Sequence, residues 1–567
     1  MKQLALSILF LSFCVIESFA QDELLFDWVQ IAIGNSFSES TSIDIDNESN
    51  YYHCGKIGNN GQTDFSLSDS SSQFNHGYIA KMSANGEFLW GKTFIGTNNL
   101  YHTPYMKEIK VLHSGDIICI AEFTGTIDFD PSQDTFELSA SGGTNAVILK
   151  FTSDGDFVWA KQIKGSNNTS ISNCYVRGLD IDQDDNIYIS GQYMGRFDFD
   201  PGPDSTILVT STNMISRAGY LLKLNNDGEF QWVNDLNGPG DDDLLGVAVD
   251  LNNDLITTGY FYDSIRLISI YLDTVLTSDW FPVYHKLIIK YDSDGEALWI
   301  RRIATANLNV KEISIDAQNN FTLVGSFQNK MWFEPPVDTL YAQGGSDGFI
   351  ANFNENGDVN WAHSIGGITS DIITSVEHRE NGNHLIAVRT AYDSIFFDST
   401  LFSVDYFNGI LVLNEFGELV TDIPFKEGGI TMNDIQLDSQ GGLISVGKCN
   451  SGPFWPLDFD PNPDSEYFSS EEGLGAFVHK MTLIDYPEST DELLIYPNPS
   501  NGFAQIFYEN YKSPVNVFVY DYSGRIIKEF QLNEKLNEVD LSGLAVGIHL
   551  ILFETEDGSL VKKFMKF

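Results

Sequence analysis

The chain has 567 residues, and its 79 acidic against 32 basic side chains leave a formal net charge of −47. Charge of that sign and size repels a polyanion, and no basic stripe interrupts it, which excludes nucleic acid as a partner and favours cationic or neutral ones. With 42% hydrophobic and 13% aromatic residues the chain can pack extensive cores, which excludes disorder as its main state and leaves room for one large repeat domain plus a small one.

Residues 1–20 read as a secretory signal peptide: Lys2 opens them, Leu4 to Ile16 is almost wholly apolar, and Ser18 and Ala20 are small residues ahead of Gln21. The apolar stretch falls short of the roughly 20 residues a spanning helix needs and no longer run follows, so no transmembrane span is expected after cleavage. Cys54, Cys119, Cys174 and Cys449 lack the CxxC or Cys/His spacing of a zinc site. Cys54, Cys119 and Cys449 fall in expected strands and read as buried free thiols.

Residues 21–483 carry an internal repeat. Its landmark is a hairpin, seen at Gly86-Glu87-Phe88-Leu89-Trp90, Gly155-Asp156-Phe157-Val158-Trp159, Gly228-Glu229-Phe230-Gln231-Trp232, Gly295-Glu296-Ala297-Leu298-Trp299 and Gly357-Asp358-Val359-Asn360-Trp361. A short apolar strand such as Ile148-Leu149-Lys150-Phe151 precedes each, joined through Asn-Gly or Asp-Gly, the pairs that supply positive φ to a tight turn. An alternating strand, a polar turn and a strand ending in a small residue follow, best seen from Asp180 to Gly191. Four short strands per unit is the content of one propeller blade.

The third strand recurs seven times; the sixth copy is degenerate, with Thr421 where Trp is expected, and the seventh lacks a Trp strand of its own. Phe26-Asp27-Trp28-Val29-Gln30-Ile31 supplies that strand from the other end of the chain. The expected fold is therefore all-β, a seven-bladed β-propeller whose N-terminal strand closes the last blade and removes two sheet edges, followed by a small antiparallel β-sandwich. The units resemble secreted bacterial propeller-repeat families that read Gly-Gly-x-Asp-Ala-Phe, Lys, then Asn-Gly-x-x-x-Trp, as at Gly344-Gly345-Ser346-Asp347-Gly348-Phe349. That resemblance implies an architecture and an extracellular setting, not an activity.

After a linker at 484–491 the pattern changes, and residues 492–567 form a second unit. Tyr496-Pro497-Asn498-Pro499 with Gly502 opens it, Asp521 with Gly524-Arg525 lies in a central hairpin, and Gly547 leads to a last strand pair containing Lys562 and Lys563. This segment resembles the type A sorting domain of the type IX secretion system, with His549 where the family usually has Tyr. The resemblance implies a Bacteroidetes-type bacterium, a partner in the secretion machinery, and a protein secreted or held on the outer cell surface after crossing the periplasm.

Chemistry-bearing motifs are few. Gly344-Gly345-Ser346-Asp347-Gly348 matches a nucleophile elbow but stands where another repeat has Gly142-Gly143-Thr144-Asn145-Ala146, so it is repeat punctuation. Asp128-Phe129-Asp130, Asp198-Phe199-Asp200 with Asp204, and Asp458-Phe459-Asp460 with Asp464 put two carboxylates on one side of an extended segment and a ring on the other. Such pairs suit hydration at a sheet edge or a hard cation, and calcium is the cofactor they admit. The loops at Asp182 to Asn186 and Asp292 to Gly295 lack the full EF-hand spacing and read as turns. The repeated Trp reads as inter-blade core. No catalytic constellation emerges, so the chain is expected to be a surface-exposed binding protein with a polysaccharide or surface-protein ligand; the alternatives are a glycan hydrolase or lyase, marked by non-repeating acids converging in the central channel, and an adhesive scaffold.

Overall fold

The repeat folds as sequence alternation dictates: each unit is an antiparallel sheet whose central strands are apolar on both faces, since both pack against neighbouring sheets. The computed structural model describes residues 23–34, 38–58, 62–63, 76–96, 104–166, 172–211, 216–277, 285–333, 339–390, 395–398, 400–403, 408–425, 429–451, 459, 473–484, 493–496, 503–508, 514–520, 525–533, 536–544, 547–555 and 558–566. These form strands and turns, with no helix among them. Two compact units result, one over Leu24–Leu483 and one containing Ile484–Phe567. The expected signal peptide lies outside the described residues, as does the linker beyond Ile484.

In the larger unit the first sheet runs Glu39–Ile45, Tyr51–Ile57, His76–Met82, Phe88–Phe94, and the next three repeat that order from Tyr105–Val111, Asn173–Ile181 and Asp243–Val249. The strand Ala297–Ile315 ends one sheet and begins another without a break, and Ile372–His378 opens the sheet after it. The last sheet is Ile430–Leu437, Gly442–Ser451, Gly473–Ile484 and then Glu23–Gly34 from the opposite end of the chain. Inner strands lie against one another in chain order, and Ile430–Leu437 returns to Glu39–Ile45, closing the sheets into a ring around a channel.

The repeated tryptophans hold the seams. A Cβ added to Gly155 would lie 2.9 Å from Trp90, one on Gly228 3.1 Å from Trp159, and one on Gly86 2.5 Å from Trp28. Each Trp therefore packs on the hairpin turn of the following sheet, and Trp28 does so across the closure. The indoles of Trp90 and Trp232 donate to the Ser153 and Ser293 carbonyls of those turns at 3.1 and 3.2 Å. The repeat lysine adds a second tie: Lys223 donates to the Ser293 carbonyl of the following sheet at 3.0 Å, and Lys480 to Tyr51 Oη at 2.8 Å across the closing seam, while Lys290 meets Asp250 and Lys480 meets Asp438 within their own sheets, both at 2.7 Å. Thr421 occupies the one Trp position that faces a sheet with no hairpin turn, because the third and fourth strands of that sheet come from different ends of the chain.

Cys54, Cys119, Cys174 and Cys449 are buried and free. The smaller unit is a sandwich of a three-stranded sheet, Leu493–Tyr496, Phe503–Tyr508 and Leu536–Asp540, and a four-stranded one ordered Ile526–Leu532, Val515–Tyr520, Gly547–Thr555, Gly558–Lys566. Val517, Val519, Ile551 and Phe553 are fully buried between them.

Candidate functional site: the central channel

Each inner strand carries a β-bulge at the same point of its register. The extra residues are Thr41, Lys107, Arg177, Leu245, Lys311, Thr374 and Asn433. A bulge bends its strand and re-aims a side chain, and here all but Leu245 line one polar channel cavity of about 150 Å³. Next along the strands come Ser42, Glu108, Glu312, Ser375 and Asp434, and two residues further Asp44, Lys110, Asp180 and Glu377. The acids stand at two recurring positions but only in some units, Glu108, Glu312 and Asp434 directly after the bulge and Asp44, Asp180 and Glu377 two residues further, and the structure brings them together.

Most of these acids already accept hydrogen bonds. An inner strand is a sheet edge, and its free N–H groups need acceptors. Asp434 Oδ2 accepts from Ile43 N at 3.0 Å, Glu108 Oε2 from Leu179 N at 2.5 Å, Glu312 Oε2 from Val376 N at 3.1 Å and Ser375 Oγ from Ile435 N at 3.1 Å. Below them Asp44 Oδ2 accepts from Val111 N at 2.6 Å and Asp180 Oδ2 from Val249 N at 2.7 Å. Each bond ties one sheet to the next.

Burial pushes Glu108 up to about 8 against the pull of Lys110 and the Leu179 N–H, and pushes Glu377 up to about 8 as well. Burial also raises Glu312, with Asp434 and Glu377 adding like charge. For Lys110 burial works against the charged form, but Asp180, Asp44 and Glu108 outweigh it and hold its pKa above the usual lysine value. At the bulge tier Lys107 pairs with Glu122 at 3.6 Å, Arg177 Nε with Asp243 at 3.4 Å, and Lys448 with Glu39 at 3.8 Å.

The Asp-Phe-Asp turns lie away from the channel. Asp128 ends the short strand Thr126–Asp128 and its Oδ1 accepts from Asp130 N and Phe136 N at 3.2 and 2.8 Å, while Asp130 Oδ1 accepts from Ser132 N at 2.9 Å. Asp198 Oδ1 accepts from Asp200 N and Thr206 N at 3.2 and 2.9 Å, and Asp200 Oδ1 from Gly202 N at 2.8 Å. Phe129, Phe199 and Phe459 are fully buried, and the Phe199 ring packs tilted against Tyr220 with centroids 4.8 Å apart. Asp204 is exposed, and Asp458, Asp460 and Asp464 lie outside the described residues. Among the described residues no three His, Cys, Asp or Glu side chains gather as metal ligands.

In the smaller unit Tyr496 ends its strand, Arg525 is exposed just before Ile526–Leu532, and Gly547 pairs with Lys566. Lys562 and Lys563 lie on the last strand opposite Ile551 and Leu550, and His549 is buried opposite Phe564. Pro497, Asn498, Pro499, Gly502, Asp521 and Gly524 lie outside the described residues. Residues 494–566 match the family described as the secretion system C-terminal sorting domain. They are a type IX sorting domain.

The sorting domain implies an interaction with the secretion machinery and export to the cell surface or beyond it. The chain is 24% identical over 350 residues, 53% of its length, to an uncharacterized WD repeat-containing protein of Acanthamoeba polyphaga mimivirus, and spans 25% of that relative. Among solved structures, a protein of unknown function from Bacteroides caccae is similar at 8% identity and a TM-score of 0.31, over 61% of this chain and 89% of its own. PorZ, a surface component of the type IX system of Porphyromonas gingivalis, is similar at 12% identity and a TM-score of 0.17, over 97% and 100%. The exotype rhamnogalacturonan lyase YesX is similar at 11% identity and a TM-score of 0.28, over 94% and 90%. No helix among the described residues is long and apolar enough to cross a membrane.

Proposed function

We propose that this protein is a binding protein of the bacterial surface or surroundings: a seven-bladed propeller, delivered through the periplasm by a cleaved signal peptide and then outward by its sorting domain, that engages a polysaccharide or surface protein through its channel and surrounding loops. The observation carrying the export half is the sorting domain at 494–566. What supports the binding half is a polar cavity whose lining varies in charge from blade to blade at one position, with Glu108, Glu312 and Asp434 in three blades where Ser42, Gly178, Gly246 and Ser375 stand in the others, since residues needed only for packing recur more uniformly, as the tryptophans do.

A glycan hydrolase or lyase is the second reading, favoured by the convergence of Glu108, Glu312, Glu377 and Asp434 and by the burial that pushes Glu108 and Glu377 up to about 8. Against it, Glu108, Glu312 and Asp434 each accept a backbone N–H, so the acids are committed to joining sheets. The test is thermal unfolding of the full chain across bacterial and algal polysaccharides, with product analysis of each hit. A ligand at a hundred times its Kd adds about 2.7 kcal/mol. Stabilisation with intact polymer supports binding, released oligosaccharides replace it with catalysis, and no shift with any polymer overturns the glycan ligand.

A further inference from the structure

The bulge tier of the channel differs in chemistry from the tier beside it. Thr41, Lys107, Arg177, Lys311, Thr374 and Asn433 all line the cavity, and none of them is a carboxylate. Some of this donor capacity is spent. Thr41 donates to the Cys54 and Met106 carbonyls at 3.2 and 3.1 Å, and Asn433 to the Ser40 carbonyl at 2.8 Å. Lys107 and Arg177 have one carboxylate partner each, at 3.6 and 3.4 Å. Lys311 is exposed to the channel and has no carboxylate at ion-pair distance among the described residues.

We infer that Lys311, Lys107 and Arg177 form an oxyanion-binding site in the channel, one that holds a sulfate, phosphate or carboxylate group. This deepens the binding reading and rests on it for the source of the anion. An ammonium group supplies a compact charge with three donors and a guanidinium a fork matched to paired oxygens, the combination that recognises such groups.

The field at Lys311 agrees with this: partial desolvation by the surrounding channel wall and then Lys107, Lys448, Arg177 and Arg389 lower its pKa. Glu108, Glu312 and Asp434 line the same cavity, but burial pushes all three toward the neutral acid, so an anion placed among the cations gains. The net charge of −47 does not prevent it, because at physiological salt exposed charges more than about 8 Å away are largely screened, and the nearest charges decide.

The test is calorimetric titration of the full chain with sodium sulfate, sodium phosphate and sodium glucuronate, against sodium chloride at matched ionic strength. The expected result is saturable binding of at least one oxyanion, weakened tenfold or more by Lys311→Met, retained in Lys311→Arg, and unchanged in Lys330→Met, an exposed lysine outside the cavity. Tighter binding of glucuronate assigns the anion to an acidic saccharide, and tighter binding of sulfate or phosphate assigns it to a free inorganic ion. Equal affinity in Lys311→Met, or no binding beyond chloride, overturns the site. Polysaccharide binding that ignores Lys311→Met removes this site while leaving the binding reading standing; oxyanion binding with no polysaccharide hit does the reverse.

Discussion

Replacing Gly86 by Ala probes ring closure. Gly86 turns the first sheet's hairpin at φ +79°, and a Cβ there would lie 2.5, 2.7 and 2.9 Å from three atoms of the Trp28 indole. Gly115 has φ +87° and open space within 4 Å of its Cβ position, so Gly115→Ala isolates the backbone term. That term is about 1–2 kcal/mol for a left-handed residue with a side chain. Forcing a methyl into a packed seam adds typically about 1–3 kcal/mol, so Gly86→Ala should lose about 2–5 kcal/mol in all. Urea unfolding of the full chain measures both variants, and hydrogen exchange locates the damage: Gly86→Ala should speed exchange in Glu23–Gly34 and Gly473–Ile484, which pair only through closure. Equal losses in the two variants, with exchange in those strands unchanged, would refute a seam held by Trp28.

Other consequences can be measured on the same protein. Phe199→Ala should cost about 3–5 kcal/mol, as for other buried aromatics, whereas Asp198→Asn keeps an acceptor for the Thr206 N–H and should cost under about 1.5 kcal/mol; a calcium-specific rise in unfolding temperature, lost in Asp198→Asn, would contradict the turn-capping role. Glu108 and Glu377 keep protons to about 8 in the folded chain but lose them near 4.5 when unfolded, so their contribution is full below 4.5 and is lost as pH rises through 8. The stability difference between wild type and Glu108→Gln should therefore move against wild type over that window, and a move in its favour would remove the buried-acid account. Thr421→Trp should destabilise rather than complete the repeat, since Thr421 is buried and faces a sheet without a hairpin glycine; a gain in unfolding temperature would show otherwise.

The parts of the fold legible in the sequence were those written in side-chain period and turn chemistry. Asn-Gly and Asp-Gly hairpins, the Trp strands and the orphan strand around Trp28 sufficed for a ring closed by its N-terminal strand, because each is a local signal repeated many times. The sorting domain was legible from the conjunction of its opening, central and final motifs. Thr421 looked like erosion, and only the sheet order shows that its partner turn does not exist.

The channel was not legible. Its residues come one to four from each sheet, in groups tens of residues apart, and the bulges that turn Lys107, Arg177 and Lys311 inward have no turn signature. The available signal was the recurring polar-polar-apolar-polar-apolar reading of Lys107 to Val111, Lys311 to Ile315 and Asn433 to Leu437, in which alternate polar residues must face something wet. The summed charge averages over the whole chain, whereas Lys107, Arg177 and Lys311 lie together at one level of the channel. The Asp-Phe-Asp motifs drew attention to their acids, yet the phenylalanine is what each turn buries.

The most direct test of the account is where the protein goes. In a bacterium with type IX secretion, the full chain and a chain lacking 494–566 are expressed and the cells fractionated. The account predicts the full chain on the surface or in the medium and the shortened chain, still folded, retained in the periplasm. Equal export of both would contradict it.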